Sequence, residues 1–161
     1  MMDAPGICGR PSMLTVRDFV PEDMPWLQLQ RAQQMWLGLH TPSLDVDYGA
    51  HLWAGGPAWT VTDKSGWIVA ACGFHEIFPT YAVAWALLAE GIGHRHLALT
   101  RLVKARMREA AYPRIEALIR ADFPPAAKWA ALVGLQFCAT IRAAGPALED
   151  YHLYERVNQH G

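Results

Sequence analysis

Apolar residues recur along this chain with two periods, and the switches between them mark out its elements. Leu14 and Val16 alternate with Thr15 and Arg17, which predicts a first strand over 13–19 with one buried face. Pro21-Glu22-Asp23 opens a helix, since proline is tolerated in a first turn and carboxylates are favoured there by the dipole; this helix is expected to run to about Leu39. Residues 40–57 are rich in Thr, Pro, Ser, Asp and Gly and predict a variable connection with a short helix near 44–53. Three strands follow over 58–63, 67–74 and 81–88, separated by Lys64-Ser65-Gly66, a tight hairpin signal, and by His75 to Thr80. WIVAACGF and YAVAWALLA are apolar at nearly every position, as strands covered on both faces require.

Beyond Gly91-Ile92-Gly93 a basic helix runs up to Pro113, and RIEALIR over 114–120 alternates as another strand. Pro124 and Pro125 open a further helix that Gly134 closes, and 136–142 with 150–157 make a closing strand pair around Gly145-Pro146. The succession β α (α) β β β α β α β β predicts an α/β fold with a mixed sheet: one domain over 13–161 behind a flexible tail over 1–12.

Composition narrows the function. The chain has 161 residues, 52% of them hydrophobic, 18% charged, with seven tryptophans, which suits one compact core; the tryptophans are expected mostly inside it. A net charge of −1 argues against general nucleic-acid binding, which needs a cationic excess. Cations cluster locally: Arg95, Arg101, Lys104, Arg106 and Arg108 stand against Glu109 alone. Cys72 and Cys138 lie in apolar strand-like runs and, with Cys8, are expected as reduced thiols in a reducing, cytoplasmic compartment. Residues 1–12 have no apolar stretch resembling a secretory signal, and the run 81–89 is too short to span a bilayer.

The chemistry concentrates between Trp85 and Arg108. A buried strand enters a Gly-x-Gly turn and then a helix, so backbone N–H groups and the macrodipole converge where a phosphate-bearing ligand can sit. Glycine lets the backbone approach such a ligand and accept positive φ. Cys72 and Cys138 have no sequence neighbour that lowers a thiol pKa, and His94 and His96, two apart at a helix start, diverge rather than share a metal ion. No metal site is expected.

With LTVRDFVPEDMPWL as opening strand and helix and GWIVAACGF as third strand, the chain from Met13 to Val157 resembles the GNAT acyltransferase superfamily. AWALL, LTRLVK, RIEALIRADF, KWAALVGL and YHLYERV resemble, more narrowly, GNAT-like proteins of tailed phages and prophages, including an internal virion protein. The resemblance implies a sheet whose fourth and fifth strands splay in a V that receives acetyl-CoA. The pantetheine arm would pair with the fourth-strand edge at Leu87 and Leu88, and Gly91, Ile92, Gly93, His94 and Arg95 would surround the pyrophosphate. It also implies an amine acceptor, a small molecule or a protein, and a place in the bacterial host cytoplasm.

The departures from the family pattern are specific. Leu88 stands where an arginine or glutamine usually precedes the glycines, Ala130 where a tyrosine acid usually stands, and the fourth strand holds no glutamate base. Glu76 with His75 after the third strand, and Asp122 at the end of the fifth, are the bases expected near the mouth of the V; Asp122 is equally a natural helix cap. Tyr154, with Tyr151, is the available acid. Three readings stand: an N-acetyltransferase, a catalytically silent virion or assembly protein whose partners are other phage proteins, and a module that senses CoA without turnover.

Overall fold

The computed structural model describes residues 13–37, 39 and 41–158; the expected tail over 1–12, with Cys8, lies outside them. The described elements are β1 (Thr15–Asp18), a 3-10 turn (Pro21–Trp26), α1 (Arg31–Leu37), α2 (Val46–Gly55), β2 (Ala58–Thr62), β3 (Ile68–Phe78) and β4 (Tyr81–Leu88). A 3-10 turn (Gly93–Arg95) then leads into α3 (His96–Glu109), β5 (Arg114–Arg120), α4 (Pro124–Leu132), β6 (Gln136–Ile141) and β7 (Tyr151–Val157). One mixed sheet orders the strands β1-β2-β3-β4-β5-β7-β6. Every neighbouring pair is antiparallel except β4 and β5, which the α3 crossover makes parallel.

Register assigns the side chains to two layers. Trp59, Cys72 and Ala86 face each other across β2, β3 and β4, and Arg106 of α3 stacks over Trp59, so this face is the α3 side. Alternation sends Val83 and Trp85 to the opposite face, where the Trp85 ring meets Phe19 edge-on at 5.9 Å. Leu99, Val103 and Met107 bury the α3 stripe on one layer; Met24, Leu27 and Leu29 fill the other. A single buried side chain of this kind contributes roughly 1.5–3 kcal/mol.

Several expectations change. The helix expected from Pro21 to Leu39 is broken: Pro25 withholds an amide from the α ladder, Leu27 turns extended, and Leu29 bridges Ala89 before α1 starts at Arg31. Gly49 of α2 approaches Pro21 so closely that a Cβ would lie 2.6 Å from its carbonyl oxygen, which holds the connection against the 3-10 turn. β3 runs on to Phe78, so His75 and Glu76 lie within it, opposite Val83 and Ala82. The last four residues of this strand, His75 to Phe78, are exposed. Trp26 and Trp53 are on the surface, and Cys138 is exposed because β6 is an edge strand.

Candidate functional site

β4 and β5 part early. Their ladder runs through Tyr81↔Arg114, Ala82↔Ile115 and Val83↔Glu116 and ends there, although both strands continue, to Leu88 and Arg120. A cavity of about 400 Å³ opens in the gap, a size usual for small-molecule sites. Val83 to Ala86 form one wall, Ala117 to Ile119 the other, and α3 and α4 supply Val103, Met107 and Trp129. Trp129 donates to Thr100 at 2.9 Å, tying α4 to α3 beside the cavity.

The wide end of the V is filled by the chain itself. The Glu90 amide donates to Gln28 O at 2.6 Å, the Gln30 amide donates to Leu88 O at 2.9 Å, and Leu29 bridges Ala89. Gln33, buried, donates from Nε2 to Ala86 O at 2.7 Å and accepts from the Leu88 amide at 2.8 Å. Across the same end the ring of Trp36 meets Phe123 edge-on at 5.1 Å. Between the last β5 pair and Gln33, the Ala84 carbonyl and the Ala86 amide remain as groups of this edge without a ladder partner. Leu88 has both backbone groups engaged, and Leu87 pairs with Ala71 on the β3 side. The accessible edge thus lies upstream of the Leu87–Leu88 position the family pattern suggests.

The glycine turn is open. Gly91 and Gly93 have φ of +74° and +54°, and a Cβ on either would meet nothing within 4 Å. Buried Ile92 anchors the turn, while Gly91, Gly93 and His94 face solvent at the start of α3. Arg95 points elsewhere: it pairs with Asp63 at 2.9 Å and lies over Trp67. The turn therefore presents backbone amides, with the Arg95 side chain directed toward Asp63. Glu90, next to it, accepts from the Arg31 amide at 2.9 Å.

The proposed acids and bases are dispersed. Glu76 sits at the closed end of the V and accepts from Tyr112 at 2.8 Å. Burial pushes the Tyr112 hydroxyl up to about 12, with the Glu76 hydrogen bond adding to it. Asp122 is exposed and forked by Arg120 at 2.7 and 2.8 Å, which holds its carboxyl below the ordinary range; α4 begins after Phe123 with no side-chain cap, so Asp122 does not cap it. Tyr154 lies opposite Ala117 and packs its ring 5.8 Å from Phe137. None of Glu76, Asp122 and Tyr154 lines the cavity.

Of the titratable side chains, Cys72, His96 and Arg106 do line it, and sequence spacing singled out none of them for this role. Burial pushes the Cys72 thiol up to about 12. Ala130 borders the cavity where the family tyrosine would stand. Trp85 Nε1 is buried without a hydrogen-bond partner among the described residues, a donor in the wall opposite α3. No group of three or more His, Cys, Asp or Glu among the described residues can hold a metal ion, and no described helix is long and apolar enough to cross a membrane.

No protein-family model matches the sequence, and no curated protein does. Solved structures do match the fold. A GNAT-family acetyltransferase from Bacillus anthracis superposes with a TM-score of 0.69 at 14% identity, over 91% of this chain and 96% of its own. Spermidine N-acetyltransferase from Vibrio cholerae, in complex with CoA and spermine, gives 0.68 at 14% identity over 90% and 95%. yncA from Salmonella typhimurium, with its cofactor acetyl-CoA, gives 0.63 at 16% identity over 92% and 95%. The fold is that of the GNAT acetyltransferases. The comparisons bring acetyltransferases and add nothing to the phage and virion resemblance.

Proposed function

We propose that this protein binds acetyl-CoA in the V between β4 and β5 and transfers the acetyl group to an amine. The observation that carries this reading is the early end of the β4–β5 ladder at Val83↔Glu116, with a cavity beneath it. The pantetheine arm pairs with Ala84 O, and the pyrophosphate lies on the amides of residues 91–94. Acetyl-CoA is the substrate in this reading, and the chain's own part is to bind, orient and polarise it. The Ala86 amide is placed to donate to the thioester oxygen, and the cavity walls hold the amine against the carbonyl carbon. A C–N bond forms, the C–S bond breaks, the thiolate leaves with CoA, and the ammonium proton passes to water. No carboxylate lines the cavity, and His96, at the start of α3, is the lining imidazole to which that water can pass the proton. Catalysis then rests on positioning, which predicts slow turnover.

An amine acceptor agrees with neighbours such as the spermidine enzyme. Glu116 is the carboxylate in register with Val83. Burial would raise it, but hydrogen bonds from Tyr81 and Arg114 outweigh that and hold it low, so it stays ionised with Arg114 as its partner and does not serve as the base. The test is release of free thiol from acetyl-CoA over a panel of polyamines, amino acids and peptides, against an enzyme-free control.

One observation favours the second reading, a silent scaffold: α1 and the segment before it occupy the wide end of the V. On the phage resemblance that scaffold serves virion assembly in the host. CoA binding without turnover on any amine, together with recovery of the chain in purified particles, would select it.

A further inference from the structure

α3 crosses β4 where the strand offers it little. Ala84 and Ala86 contribute only a Cβ on that face, and Ala117 does the same from β5. Under α3 one row crosses three strands in register, from Ala86 through Cys72 to Trp59. With strands about 4.8 Å apart, the row is roughly 10 Å long. All three residues line the cavity together with Val103 and Met107. Arg106 stands at its far end, its guanidinium 5.1 Å from the centre of the Trp59 ring. A cation–π contact of this kind leaves guanidinium N–H groups able to donate elsewhere. The salt-bridge partner of that guanidinium is Glu109 at 3.8 Å, beyond hydrogen-bond distance and on the exposed flank of the helix.

A mostly apolar passage that starts at the splayed edge and ends on an underused guanidinium fits one chemical shape. Resting on the reading of the V as an acyl-CoA site, we infer that this passage takes the acyl group of the donor, and that the favoured donor carries a short dicarboxylic acyl group of succinyl or glutaryl size. Its thioester lies at the Ala86 amide, its methylenes cross Ala86 and Cys72, and its terminal carboxylate accepts a forked pair of hydrogen bonds from Arg106. Acetyl-CoA leaves the passage empty. The buried Cys72 acts as apolar wall, since its thiol stays protonated at neutral pH.

The test is calorimetric titration of the full chain with CoA, acetyl-CoA, butyryl-CoA and glutaryl-CoA, repeated on Arg106→Gln after thermal melting shows that the variant is folded. Glutaryl-CoA is expected to bind roughly tenfold tighter than butyryl-CoA, because a charge-assisted fork is gained. Arg106→Gln is expected to erase that difference and to leave CoA within about twofold. Equal affinities for glutaryl-CoA and butyryl-CoA in the wild type overturn the inference, as does an equal loss for all four ligands in the variant. CoA binding without discrimination among acyl groups sinks this inference alone. Absence of binding by CoA and all its thioesters sinks the acyl-CoA reading, and this inference with it.

Discussion

Gln33 pairs with Leu88 as a strand would. Its carboxamide accepts from the Leu88 amide at 2.8 Å and donates to Ala86 O at 2.7 Å, the geometry a ligand's amide would use on the same edge. The splay therefore exposes a shorter edge than the strand lengths suggest, and the chain satisfies the remainder from α1.

Gln33→Ala removes a competitor for that edge and two buried hydrogen bonds. Unfolding by urea should show a loss of about 1–3 kcal/mol, while calorimetry should show CoA binding roughly tenfold tighter as the freed groups pair with pantetheine. Weaker CoA binding in a folded Gln33→Ala would mean that Gln33 supports the ligand instead of competing with it.

Gly93→Asp places a carboxylate beside the proposed pyrophosphate amides. Gly93 has positive φ, which Asp and Asn tolerate better than other side chains, so Gly93→Asn serves as the neutral control. CoA affinity should fall at least about tenfold for Asp relative to Asn if charge is what matters. Equal affinities would remove the pyrophosphate from this turn.

Leu29 is wholly buried and anchors the segment that closes the wide end of the V. Leu29→Ala should cost about 2–5 kcal/mol of unfolding free energy. A change under about 1 kcal/mol would show that the segment is not held by this side chain.

Asp23 ties the first 3-10 turn to the sheet. It accepts from Arg17 at 2.6 and 2.8 Å, from Thr60 at 2.5 Å and from the Val20 amide at 3.3 Å. Burial alone would raise its pKa; these hydrogen bonds outweigh it and hold the carboxyl below its ordinary value. The unfolded chain then takes up the proton first, so stability present at neutral pH is lost as pH falls below about 4 toward the folded value. Melts followed by circular dichroism should show wild-type Tm dropping through that window, and Asp23→Asn starting lower at pH 7 but dropping less. Parallel curves would contradict the assignment.

Much of this was legible in the sequence. Full apolar runs placed β3 and β4 centrally, Lys64-Ser65-Gly66 marked the hairpin, and Gly91 and Gly93 marked the positive-φ turn that leads into α3. What escaped was set by tertiary contact. The wheel of residues 21–39 reads as one helix because periodicity cannot see Leu29 leave it to bridge Ala89. Gln33 is buried because the Leu88 amide and the Ala86 carbonyl take it as a partner, a contact that periodicity does not encode. Arg106 reads as one more cation on a basic face until register brings Trp59 beneath it. Glu76 and Asp122 were favoured for their place beside strand ends, which fixes sequence position and not direction; the longer β3 carries Glu76 to the closed end of the V, and Arg120 holds Asp122.

The most direct measurement is a titration of isotope-labelled protein with CoA, read simultaneously as heat and as amide shifts. The account predicts saturable one-to-one binding with the largest shifts at Trp85, whose amide shares a peptide plane with the Ala84 carbonyl, at Ala86 and at residues 91–94. Absence of heat and of shifts at millimolar CoA, or saturable binding that leaves those amides unmoved, would contradict it.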